Sequence, residues 1–151
     1  MTCCPDVLQH LSFCRFSVKI RTVNENNPFM RHNGIRVIFL DGERAQVAVQ
    51  AADFSRNAMG SIHGGLFFLM GETAAGLLVR SDGRWYVTLD VSFRYLRASV
   101  GERELQAEAV WIRRGRSVAV CRALIREKGS EKALAEGEFS FFCLDDGSEK
   151  M

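Results

Sequence analysis

The chain has 151 residues, 47% of them hydrophobic and 25% charged, with a formal net charge of +2. That length suits one domain with its own core, and so balanced a charge argues against nucleic acid or an anionic membrane surface as the main partner. The five cysteines (Cys3, Cys4, Cys14, Cys121 and Cys143) are odd in number and contain no Cys-x-x-Cys pair, which argues against a disulfide framework and against a zinc site.

Residues 1–22 carry a loose helical pattern, with Val7, Leu8, Leu11 and Cys14 as its apolar positions, and form an expected N-terminal extension. The domain proper is expected over residues 23–144, and the polar tail 145–151 is expected to fray. No basic stretch leads into an apolar run near the N-terminus, so no secretory leader is expected. Asn24 to Pro28 reads as a loop. Residues 35–40 are apolar and β-prone, and Asp41-Gly42 is a hairpin turn signal. Ala45, Val47, Val49 and Ala51 alternate with Arg44, Gln46, Ala48 and Gln50, which predicts a strand with one buried face. Residues 53–62 read as a loop.

Residues 64–80 hold one acid, Glu72, among helix formers, and their length favours a helix. The apolar part, 66–79, is shorter than the roughly 20 residues of a membrane span. A helix apolar on every side must be surrounded by protein. Four alternating runs follow. Trp85, Val87, Leu89, Val91, Phe93 and Tyr95 alternate with Tyr86, Thr88, Asp90, Ser92 and Arg94. Leu105, Ala107, Ala109 and Trp111 mark the next run, and Arg113-Arg114-Gly115-Arg116 reads as a turn. Strands are then expected over 118–126 and 135–143. Short gaps favour antiparallel neighbours. The pattern is α+β: a curved antiparallel sheet of about six strands wrapped around a long buried helix. One sheet covers only part of such a helix, so a second copy is expected against the rest, with a dimer of dimers left open.

The chemistry concentrates in Asn57-Ala58-Met59-Gly60-Ser61-Ile62-His63-Gly64-Gly65, with Glu72 beyond it. Glycines at the start of a helix leave free N–H donors suited to an anion or a developing oxyanion. Asn57 and His63 add donors. A carboxylate kept inside a buried helix invites acid–base or nucleophilic work. Glu72 lies nine residues after His63, about 900° of rotation and roughly 13 Å of rise. One carbonyl cannot touch both in one chain, so composite sites are expected, Glu72 of one chain meeting Gly64 of its partner.

Asn57-x-x-Gly60-x-x-His63-Gly64-Gly65 followed by Glu72, with weaker echoes at Asn27-Pro28-Phe29, Gly34-Ile35, 87–90, Tyr95-Leu96 and Gly115-Arg116, resembles the phenylacetic-acid-pathway (PaaI-like) thioesterase group of the hotdog superfamily. The resemblance spans about residues 27–142. It implies a hotdog fold and an acyl-CoA thioesterase that releases free acid and CoA. In that family reading the Gly64 N–H binds the thioester carbonyl, Asn57 and His63 polarise it or steady the leaving thiolate, and Glu72 is general base or nucleophile. Thr88 falls where the family holds the attacking water; alternation by itself puts Thr88 on the polar face with Asp90, Ser92 and Arg94. Many relatives carry Asp in place of Glu72, one methylene shorter.

Coenzyme A needs cations, and Arg113, Arg114 and Arg116, with Arg94 and Arg97 flanking Tyr95, are candidates by their forked donors. Gly65 and Phe68 are expected beside the acyl group. No metal, nucleotide or flavin motif is present, so coenzyme A is expected as part of the substrate and no cofactor is expected. A reducing, cytoplasmic setting without membrane contact is expected. The alternative is a non-catalytic acyl-CoA binding or sensing domain. A hydratase of the same fold and a structural role are weaker options.

Overall fold

The computed structural model describes residues 27–144. The N-terminal extension and the C-terminal tail lie outside the described residues. Asn27 begins an element absent from the sequence reading, a short helix α1 (Pro28–His32). Its cause is local. The Asn27 side-chain oxygen accepts from the N–H of Phe29 at 2.9 Å and of Met30 at 3.4 Å, and Pro28 supplies a helical φ at the first turn. The expected loop therefore gives way at Pro28 to a helix that tucks Met30 into the core.

Two strands follow, β1 (Arg36–Leu40) and β2 (Arg44–Ala51). Between them Asp41 accepts from the N–H of Glu43 and of Arg44, both at 2.9 Å, the hairpin expected at Asp41-Gly42. Helix α2 (Gly64–Arg80) has the expected bounds. After it come β3 (Tyr86–Tyr95), β4 (Arg103–Arg114), β5 (Val118–Glu127) and β6 (Ala133–Cys143). All pairings are antiparallel, and the sheet order is β1-β2-β4-β5-β6-β3. The inward residues are those that alternation predicts: Ala45, Val47, Val49 and Ala51 on β2, and Leu105, Ala107 and Ala109 on β4. They bury against Met70, Ala74, Leu77 and Leu78 of α2. No helix among the described residues is long and apolar enough to cross a membrane.

Two expectations need correction. Arg113 and Arg114 remain inside β4, so the turn is shorter than the four residues assigned to it. The β3 alternation also breaks. Thr88 pairs with Phe141 while Asp90 pairs with Ser140, so Leu89 is an extra residue. Such a bulge reverses the face that later side chains occupy. Tyr86 and Thr88 point toward α2 before it, and Val91 and Phe93 do so after it. Trp85, Val87 and Leu89 lie on the outer face, exposed.

Cys121 and Cys143 are buried in β5 and β6, and burial pushes the Cys121 thiol up to about 12.

Candidate active site

The helix α2 is apolar throughout, yet the sheet covers it on one side only. Gly65, Phe68, Leu69, Glu72 and Arg80 recur at helical spacing and stay partly open. Glu72 sits midway along this stripe. Its Oε1 accepts from the Thr88 hydroxyl at 2.9 Å. Among the described residues that is its sole hydrogen bond, and it joins no ion pair, so one carboxylate oxygen is left to a ligand. The β3 bulge is what turns Thr88 toward the helix.

Glu72 also lines a cleft of about 100 Å³, with Asn27, Phe29 and Met30 of the α1 segment on one wall and Leu69, Thr73, Gly76 and Arg80 of α2 on the other. The Asn27 cap positions that first wall.

The loop before α2 is held by Asn57. Its side-chain oxygen accepts from the N–H of Met59 at 2.9 Å and of Ser61 at 3.1 Å. With the oxygen committed, the amide NH₂ is left as a donor. His63 caps α2, its Nδ1 accepting from the Gly65 N–H at 2.9 Å. A neutral His63 so placed carries its proton on Nε2, which is free to donate outward. The Gly64 N–H makes no hydrogen bond among the described residues, as a donor reserved for an oxyanion requires. A side chain at Gly64 is excluded by Tyr95, whose Cε1 lies 2.7 Å from where a Cβ would stand. In the single chain the Tyr95 ring packs over the Cα of Gly64.

Thr88 and Glu72 come together within one chain. Asn57, His63 and Gly64 gather at the start of α2, roughly 12 Å along the helix from Glu72. Phe68 packs on Phe93 and Phe139, with ring centroids at 5.4 and 5.8 Å, and is not among the residues lining the Glu72 cleft.

The arginines divide. Arg94 pairs with Glu136 at 3.3 Å, and Arg97 donates to the Ala133 carbonyl at 2.8 Å. Arg114 pairs with Glu43 at 2.9 Å, also donates to the Gly42 carbonyl, and lies over the Trp111 ring at 4.4 Å. Arg113 and Arg116 are exposed. Arg94 and Arg97 lie at or beyond the C-terminal end of β3. The Arg116 carbonyl accepts from Arg84, just before β3 begins. The ten residues of β3 separate the two groups by roughly 30 Å at strand rise, so within one chain they are not one phosphate site.

Two residues outside the sequence-based set frame the site, Tyr95 over Gly64 and Arg80 in the cleft. Arg80 falls eight residues after Glu72 on the same helical stripe, a spacing readable in the sequence.

Known proteins resemble this chain in sequence and fold. The model of the thioesterase superfamily matches residues 59–134. A protein of Archaeoglobus fulgidus bearing an esterase name is 25% identical over 133 residues, 83% of this chain and 86% of its own. The N33D mutant of the phenylacetic acid degradation protein PaaI from Thermus thermophilus superposes with a TM-score of 0.73 at 26% identity, covering 78% of this chain and all of that one. A hypothetical thioesterase of Streptococcus pneumoniae, solved with coenzyme A, superposes at 0.68 with 24% identity, over 73% of this chain and 88% of its own.

Proposed function

This chain belongs to the thioesterase superfamily, as a thioester hydrolase of PaaI-like hotdog fold, and we propose that its substrates are acyl-CoA thioesters attacked through Glu72. The observation that carries the reading is the Glu72–Thr88 pair at the mouth of a cleft, with one carboxylate oxygen unengaged. Coenzyme A in the pneumococcal relative supports the thiol half of the substrate.

In this reading Thr88 orients the carboxylate. Glu72 takes a proton from water as the water attacks the thioester carbon, or attacks that carbon itself to give an anhydride that water then opens. The carbonyl oxygen gains charge and is met by the Gly64 N–H, with Asn57 Nδ2 and His63 Nε2 as further donors; groups of this kind each contribute about 3 kcal/mol. Those donors come from the partner, because about 12 Å of helix separates Gly64 from Glu72 in one chain. The sheet order leaves β3 an edge, next to Thr88, and an edge strand calls for cover. A two-fold dimer with two composite sites supplies it. No cofactor enters, because coenzyme A arrives and leaves as part of the substrate. Arg113 and Arg116, exposed and without protein partners among the described residues, are the better phosphate ligands; Arg94, Arg97 and Arg114 are already engaged. A cytoplasmic setting fits this substrate.

The test is thioester absorbance over a panel of acyl-CoAs. Turnover of some members is expected. A protein that binds acyl-CoA and turns over none of the panel would instead be an acyl-CoA binding module. The composite site has its own check. Glu72→Ala and Asn57→Ala are each expected to be poorly active alone. Mixed after unfolding and refolding, they should recover about a quarter of wild-type activity, since half the dimers are mixed and each holds one intact site. No recovery, or a fully active monomer in sedimentation, would overturn it.

A further inference from the structure

Arg80 is the one arginine that shares the cleft with Glu72. Its Nε is shut off from solvent and has no hydrogen-bond partner. Its guanidinium joins no hydrogen bond or ion pair among the described residues, Glu72 included. Burying part of a cation without a partner is unfavourable, and such a group is held in readiness for an anion. A basic residue in the last turn of a helix can simply complement the helix dipole. Arg80 instead turns back along the helix, with Nη2 3.6 Å from where a Cβ on Gly76 would stand. Gly76 has no side chain, so the helix surface between Glu72 and the guanidinium is bare. The flanking walls carry apolar Phe29, Met30 and Leu69 beside polar Asn27 and Thr73.

We propose that the cleft receives short acyl groups ending in a carboxylate, with Arg80 holding that distal carboxylate while Glu72 attends the thioester carbon. This rests on the acyl-CoA reading given above. The reach sets the chain length. Gly76 lies one helical turn beyond Glu72, about 6 Å along the axis. An extended chain of roughly five to six carbons, four to five bonds at about 1.2 Å each, spans that distance. The reaction is hydrolysis of a dicarboxylic acid's mono-CoA thioester. Water supplies hydroxyl to the acyl carbon, the carbon–sulfur bond breaks, and the thiolate takes the proton, giving the free diacid and CoA.

The experiment pairs glutaryl-CoA with pentanoyl-CoA, equal in length and different in the distal carboxylate, with rates corrected for the uncatalysed reaction. Wild type, Arg80→Met and Arg80→Lys are compared. Wild type is expected to favour glutaryl-CoA in kcat/KM. Arg80→Met should cut that preference by roughly 10- to 100-fold, the range of a lost charged hydrogen bond, and mainly through KM. Arg80→Lys should restore part of it. Binding of both thioesters to Glu72→Gln, with and without Arg80→Met, reads the same preference without turnover. Wild type inert on both thioesters, with Glu72→Gln still preferring glutaryl-CoA through Arg80, would sink the hydrolysis reading and keep Arg80's role. A preference unchanged by Arg80→Met, or an equal loss on both thioesters with a lowered Tm, would overturn the proposal and leave Arg80 a structural residue.

Discussion

Glu72→Ala is expected to lower kcat on the preferred acyl-CoA by at least about 100-fold, roughly 2.7 kcal/mol of barrier. Its Tm should stay close to wild type. The two halves of this expectation share a cause. Glu72 is half-buried and, among the described residues, accepts a single hydrogen bond, from Thr88, and joins no ion pair, so little folding energy depends on it. A carboxylate that contributes so little to the fold and faces a cleft is available for chemistry. Thr88→Val should cost less, because it loosens the carboxylate without removing it. Single-turnover rates with a thermal melt on each variant check this. Equal rates in wild type and Glu72→Ala would return Glu72 to a structural role.

Phe139→Ala should destabilise the fold by about 3–5 kcal/mol, a large share of the roughly 5–15 kcal/mol that holds a domain together. The ring is fully buried and joins Phe68 and Phe93 where β6 meets α2. Its Cζ lies 3.0 Å from where a Cβ on Gly71 would stand. Gly71 costs the helix about 1 kcal/mol relative to alanine, and the Phe139 ring is the reason it is tolerated. Gly71→Ala alone is therefore expected to destabilise. In the Phe139→Ala background it should stabilise, because the methyl enters the vacated space and the helix propensity improves. A urea-unfolding double-mutant cycle measures this sign change. Additive effects would mean that helix and ring do not compete for that space.

Much of the fold was legible in the residues. Periodicity located α2 to its bounds and assigned the inward faces of β2 and β4, since burial of one face imposes its period on a strand that carries no bulge. The short helix α1 is missed: its first residue, Pro28, reads as the end of a loop and the rest carries no assignment, although Asn27-Pro28 is a cap and first-turn pair. Five residues give too short a pattern to stand out. The candidate site was legible as residue types: Asn57, His63, Gly64 and Glu72 follow from the chemistry of a helix start and a lone buried acid. The five arginines were grouped by charge and sequence proximity, and the sheet separates them.

What the sequence determined by itself was the local order: one long helix with a single acid, glycines at its start, and six strands, of which β1–β2, β4–β5 and β5–β6 pair antiparallel across short turns while β3 pairs with β6 and not with its sequence neighbour β4. What only the tertiary structure decided was which of these meet. A single extra residue at Leu89 reverses the faces of β3, so Thr88 reaches Glu72 while Trp85 and Val87 turn outward. Alternation counting cannot see it, because a bulge is set by pairing with β6 rather than by any residue of β3 itself. Arg80 likewise acquires meaning only when α1 closes a wall opposite it and its charge is left without a partner among the described residues.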